Sequence, residues 1–414
     1  MSYNGKISKR GEDMLLFMNE LKAKLEEETK LIENDVIKWR RDLHKNPELS
    51  NKEFETKKYI EKKLKSFNSI ELLHPTETSI IGVLKGTRSG DTVGFKCDID
   101  ALPIYEKADV EFKSKNQGIM HACGHDAHIA MLLGAAKVLS NHRDKIQGSI
   151  KFIFQHAEEV MPGGEADIIK LGYIDDVKEF LAIHTNPFIK TGILSTKSGV
   201  ITASVDRFNI KINGKSGHTS QPQQTINPII VGTEIVSSIE GIIKRKVSPY
   251  IPEVISITQF DTNNEYHSII PETVTIGGCI RSIDEEVRYV VKNEIENIIK
   301  FTCDKYGTSY QIDYKLRRNR TVNDDNLTLF CERLIKEHFS PGIYKKLDIS
   351  YLIGDSFSAY ANEKPGCFIS LGVGNEEIDA KYHSHTDKFK IDESALIIGV
   401  KLFVLFVFKK LMKQ

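Results

Sequence analysis

The doublet Glu158 and Glu159 follows a run of residues, SIKFIFQ at 149–155, that reads as a strand. Two adjacent carboxylates offer two jobs at one place: one can hold a metal ion while its neighbour takes a proton from activated water. A glutamate pair alone is more often solvated surface, but this one has company. Asp98 and Asp100 follow the strand-like run 93–97, His184 follows 180–183, and His383 and His385 come after 365–371. Each cluster stands beyond the C-terminal end of an expected strand, where open α/β sheets bind their ligands. A fifth cluster, HACGHDAH at 121–128, runs into a helix start. A thiol, imidazoles and carboxylates converging on one sheet edge have the composition of a metal site.

Each residue also has a plainer reading. Cys123 alone is equally well a small buried apolar side chain. His121 and His128 read as structural groups or as supports behind ligands, His184 alone as a hydrogen-bonded core histidine, and Cys97 as core. The joint placement favours a metal, because soft and hard donors seldom line one edge by chance.

The elements that carry these residues follow from periodicity. Leu15, Leu16, Met18, Leu21, Leu25, Leu31, Ile32 and Ile37 recur at near-helical spacing, so the first forty residues read as helix. Strands and helices then alternate; Asp126 reads as the cap of a helix whose apolar face is Ile129, Leu132, Leu133 and Ala136. The pattern is that of an α/β domain with a mixed, mostly parallel sheet. Near residue 196 the character changes. The run 206–213 alternates polar and apolar, a helix is expected over 228–244, strands over 254–260 and 273–280, and a helix over 284–306. This is a smaller α+β unit inserted into the first domain, giving a first catalytic segment at 1–195, an inserted lid or dimerisation domain at 196–312 and a second catalytic segment at 313–414.

Bulk properties bound the function. A chain of 414 residues exceeds one ordinary core. A formal net charge of zero argues against capture of nucleic acid or an anionic membrane. The six cysteines show no paired spacing, which suits a reducing cytoplasm. The apolar stretch 395–408 falls short of the roughly 20 residues that span a bilayer and reads as a buried terminal helix.

Four strings, FKCDIDALPI (95–104), MHACGHDAH (120–128), FQHAEE (154–159) and SGHT (216–219), resemble the amidohydrolase branch of the di-metal aminoacylase/carboxypeptidase superfamily. That branch includes hippurate hydrolases, N-acyl-amino-acid amidohydrolases and indole-acetyl-amino-acid hydrolases. The resemblance runs from about Trp39 to the C-terminus. It implies two divalent metal ions (zinc or manganese, with cobalt or nickel also suited) held by Cys123, His125, Glu159, His184 and a C-terminal histidine. Counting back from Phe389 and the acidic pair Asp392 and Glu393 selects His385, with His383 the alternative. It further implies Glu158 as general base, and His218 on the inserted domain as oxyanion donor, acting in a neighbouring subunit of a homodimer. Arg281 in GCIRS (278–282) would bind the substrate carboxylate, and Asp98 and Asp100 would support the ligands. The reaction implied is hydrolysis of the amide of an N-acyl amino acid to a carboxylic acid and a free amino acid, gated by domain closure.

The sequence departs from that pattern at His156 (usually Pro), Ser268 (usually Asn), Ser356 within GDSFS (354–358) and Asp387 (usually Pro), which bears on substrate preference. The alternatives are a dipeptidase or carboxypeptidase with the same site, a thiol hydrolase using Cys123 with His125, and a catalytically silent ligand-binding homologue.

Overall fold

The computed structural model describes residues 9–412, without the side chains of 9–15, so the part of the helix expectation on residues 1–8 and the apolar role of the Leu15 side chain lie outside what is described. Two compact units result: one comprises the described residues up to Gly199 with Asn323–Leu347 and from Tyr360 onward, the other Val200–Val322 with Asp348–Ala359.

The first unit is built on an eight-stranded mixed sheet. Its centre is parallel: Gln147–Gln155, Arg88–Asp98, Val177–Lys190 and Gly366–Gly374 run side by side in that order. The outer two of these four are buried almost throughout and the inner two along their central stretches, which is why they read as continuous apolar runs rather than as alternating ones. An antiparallel flank, Ile70–Leu73 against Ile80–Lys85 against Gln147–Gln155, lies outside the alternation read from the sequence. The helix His125–Ser140 is buried on every face except at Lys137. Small residues permit this: a Cβ at Gly134 would meet Val36 and Val400 Cγ2 at 2.9 Å, so the helices Glu33–His44 and Leu396–Leu411 close on it directly. The terminal helix Leu396–Leu411 contributes Phe403 and Phe406, which pack on Phe95, each buried side chain of this size contributing about 1.5–3 kcal/mol. No helix among the described residues is long and apolar enough to cross a membrane.

Asp126 does not cap its helix. The N-cap is Gly124 in a left-handed conformation (φ +89°), and Asp126 is fully buried as the partner of Arg40 (2.7 Å) and His44 (2.8 Å). A first-turn carboxylate still favours the helix dipole, but a long-range charge claims the side chain.

The second unit is a four-stranded antiparallel sheet, in the order Glu253–Asp261, Thr273–Ser282, Ser204–Asn213, Ser309–Arg318. The helices Pro228–Glu240 and Glu285–Tyr306 cover one face. Its apolar core holds Phe208, Ile210, Ile212, Val231, Ile235, Val274, Ile276, Val291 and Ile295. Asp284 caps the second helix, accepting from the Glu286 and Val287 N–H groups at 2.9 and 3.0 Å.

Candidate metal centre

At the C-terminal ends of the parallel strands of the first unit, six side chains converge. Cys123, His125 and His184 offer ligand atoms that all lie within 4.8 Å of one another; so do Cys123, Glu159 and His385, and His125, Glu158 and Glu159. The two groups that share the Cys123 sulfur suit a pair of cations better than one.

Backbone conformation sets the sulfur in place. A Cβ at Gly124 would stand 2.3 Å from Thr185 Oγ1, so only glycine permits the turn that puts Cys123 beside the His184 strand. His385 is itself left-handed (φ +66°), held by donating its N–H to the Ala122 carbonyl at 2.7 Å. Its Nε2 lies 3.2 Å from Glu159 Oε1. His383, the alternative, instead packs edge-on against Phe188 with ring centroids 4.2 Å apart.

Hydrogen bonds fix the imidazole tautomers. His125 Nδ1 is 2.9 Å from the Asp100 carbonyl, and His184 Nδ1 is 2.8 Å from the Thr185 carbonyl. A carbonyl oxygen only accepts, so each Nδ1 donates and each Nε2 lone pair is left to face the cluster. His125 Nε2 is buried with no hydrogen-bond partner, and His184 Nε2 lies 3.6 Å from Cys123 Sγ. Lone pairs turned on a sulfur need a positive centre among them, and the donor set of thiolate, imidazole and carboxylate fits a divalent cation. Burial pushes the Cys123 thiol up, but its interactions with the neighbouring His125 and His184 imidazoles outweigh it and hold the thiol well below its usual range. Burial beside the thiolate raises the Glu159 carboxyl to about 7, and His385, against the desolvation of its ring, is raised to about 10 by Cys123 and Glu159. The cluster is thus short of positive charge.

The supporting groups are equally specific. Asp100 Oδ2 accepts from the Glu159 N–H (2.9 Å) and from the Ser50 hydroxyl (2.7 Å), while its Oδ1 faces His125 Nδ1 at 3.3 Å. Asp98 is paired with Lys96 at 2.7 Å, both buried. His128 Nε2 accepts the Thr185 N–H at 3.0 Å and so braces the His184 strand. His121 is buried without a partner for either nitrogen, and burial lowers it to about 4. His156, the departure from proline, meets the Ser79 hydroxyl at 2.6 Å through Nδ1.

The turn bearing the doublet is strained. Ala157 has φ +52°, a conformation that costs an L-residue about 1–2 kcal/mol. Its N–H donates to Glu53 Oε1 at 2.8 Å. Glu53 and Ser79 were not singled out from the sequence; the signal available was an acidic residue preceding a helix already capped by another, Glu48.

A model of peptidase family M20/M25/M40 matches residues 94–409. The chain belongs to that family. Among its M20 relatives, a thermostable carboxypeptidase of Saccharolobus solfataricus is 36% identical over 394 residues, 94% of this chain and 99% of that protein. An N-acyl-L-amino acid amidohydrolase of Geobacillus stearothermophilus is 42% identical over 294 residues, 71% of this chain and 79% of that protein. The crystal structure of a dinuclear metal-binding M20 peptidase from Bacillus subtilis matches with a TM-score of 0.78 and 29% identity, covering 92% of this chain and 98% of that one. This M20 chain is a hydrolase with the α/β architecture of that family.

The remaining two expected site residues lie in the second unit. His218 is exposed, on a two-residue strand paired with Ile269–Ile270, and its Nδ1 accepts from the Ser220 N–H at 3.1 Å. Arg281 is half-buried in the strand Thr273–Ser282 and donates to the Leu352 carbonyl at 3.0 Å.

Proposed function

We propose that this enzyme hydrolyses the amide bond of N-acyl amino acids, using two divalent cations held by Cys123, His125, Glu159, His184 and His385. The observation that carries the reading is the pair of three-donor groups sharing the Cys123 sulfur, with both imidazoles presenting Nε2. The 42% identity to an N-acyl-L-amino acid amidohydrolase supports the substrate class. When bound, the cations would supply Lewis-acid polarisation of the amide carbonyl and a lowered pKa for the attacking water.

The chain's own residues do the rest. Glu158, buried beside the donor cluster, takes the water proton and delivers it to the departing amine, an effect of about 10²–10⁴-fold. His218 donates to the developing oxyanion from a neighbouring subunit, a contribution of about 3–4 kcal/mol for such a donor. Arg281 pairs with the substrate carboxylate. Asp100 fixes both the His125 tautomer and the Glu159 backbone, and Asp98, paired with Lys96, lies beside His125 and His128. Zinc suits the thiolate and imidazole donors, and manganese the carboxylates. A homodimer built on the second unit, and a cytoplasmic setting in keeping with six free cysteines, complete the reading.

A metal-reconstituted screen over acetyl-, benzoyl- and longer acyl-amino acids, run beside dipeptides, tests the substrate class. Preferred turnover of acyl-amino acids is expected. Preferred turnover of peptides would support the carboxypeptidase reading, which the 36% identity along 94% of the chain favours. Mixing Glu158→Gln with His218→Ala subunits should restore part of the activity; no recovery despite confirmed subunit exchange would remove the donor in trans.

A further inference from the structure

The doublet's turn is held through its backbone N–H groups. Three N–H groups within four residues are each met by a side-chain oxygen from a different segment: His156 by Ser79 Oγ (3.2 Å), Ala157 by Glu53 Oε1 (2.8 Å) and Glu159 by Asp100 Oδ2 (2.9 Å). Ala157 occupies the left-handed region between them. A non-glycine residue persists there only where its surroundings over-determine it, and a buried N–H must have a partner.

Glu53 is the N-cap residue of the helix Phe54–Lys65, yet its side chain makes no capping hydrogen bond. Glu48 does that work instead, accepting from the Glu55 N–H (3.2 Å), the Thr56 N–H (2.7 Å) and the Thr56 hydroxyl (2.9 Å). The Glu53 side chain, fully buried, is thereby free to turn towards Ala157. Burying a carboxyl group is costly unless it is hydrogen-bonded, and the Ala157 N–H, with the backbone of Asn51 and of Glu53 itself, favours its ionised form. Burial pushes the Glu53 carboxyl up to about 7, with the charge of Asp100 adding to the rise.

We propose that Glu53 is a positioning residue for the hydrolysis: by accepting the Ala157 N–H it holds the left-handed turn that presents Glu158 and Glu159 together. This rests on the reading of Glu158 as the base. Without the acceptor the turn relaxes towards a right-handed or extended conformation, and both carboxylates swing with it. A small misplacement of a catalytic group costs up to about 10²-fold in rate.

The test compares Glu53→Met, which fills the volume but accepts nothing, Glu53→Gln, which keeps an acceptor oxygen, and Glu53→Asp, which keeps the charge but is one methylene short. In the metal-loaded enzyme, Met and Asp should each lower kcat by about 10–100-fold with KM within about threefold, and Gln should stay within about threefold of wild type. Hydrogen exchange in a peptide spanning 154–160 should quicken in Met and Asp and not in Gln. Should Met not fold, the Asp and Gln pair gives the same reading. Wild-type kcat in a folded Met or Asp variant overturns the proposal, as does a loss in Gln as deep as in Asp with unchanged exchange. Glu158→Gln in the same assay separates the two claims: near-normal turnover there would remove the base, while the exchange measurement would still report on Glu53.

Discussion

Two buried charge clusters, one in each unit, are built on opposite terms. In the second unit Arg288 and Asp206, each about 1% exposed, form a two-pronged pair at 2.6 and 2.9 Å. The remaining Arg288 donors reach Asn319, Glu285 and the Arg318 carbonyl, and Tyr314 also donates to Asp206. Every side-chain nitrogen of Arg288 and both carboxylate oxygens of Asp206 have a partner. In the first unit the Cys123 cluster keeps an unpartnered imidazole nitrogen, a depressed thiol, a raised carboxyl and two left-handed residues, Ala157 and His385. A fully matched pair holds a fold together; an under-matched, strained one is poised to bind something.

Mutations should separate the two clusters cleanly. Glu158→Gln should cut turnover by about 10²–10⁴-fold while metal content, read by elemental analysis, stays at the wild-type value. Arg288→Met strands the Asp206 charge and should cost about 3–5 kcal/mol of stability in denaturant unfolding, with metal stoichiometry unchanged. Gly124→Ala, which drives a Cβ against Thr185 and forces an L-residue to φ +89°, should cost at least about 1–2 kcal/mol and lower metal affinity as well. A smaller effect belongs to Glu253 in the second unit, whose carboxyl is raised from 4.5 to about 7 by burial and by the charge of Asp206. Between those values the folded protein holds the extra proton, so stability falls as pH rises from about 4.5 through about 7. Glu253→Gln should therefore raise the Tm at pH 8 and change it little at pH 4.5, in thermal unfolding at the two pH values.

The same contrast explains what could be read from the sequence. The central strands were legible because they are buried on both faces and so appear as apolar runs, and the chemistry-bearing residues were legible because they follow those runs. The strand Ser309–Arg318 was missed although Tyr310, Ile312, Tyr314 and Leu316 alternate along it. The flank Ile70–Lys85 escaped because it breaks the strand–helix alternation. Asp126 was misread as a cap because its true partners, Arg40 and His44, are more than 80 residues away. Glu53 was invisible for the same reason: its partner Ala157 is 104 residues distant. Local pattern finds elements and the side chains at their ends; it does not find the distant side chain that fixes a backbone N–H.

The central claim is that Cys123, His125, Glu159, His184 and His385 enclose two cations. Anomalous diffraction from crystals loaded with zinc or manganese tests it most directly. Two peaks are expected within bonding distance of these side chains, one beside His184 and one beside His385, both near the Cys123 sulfur. Peaks confined to other surfaces, with Cys123 and His184 touching no metal, would contradict it.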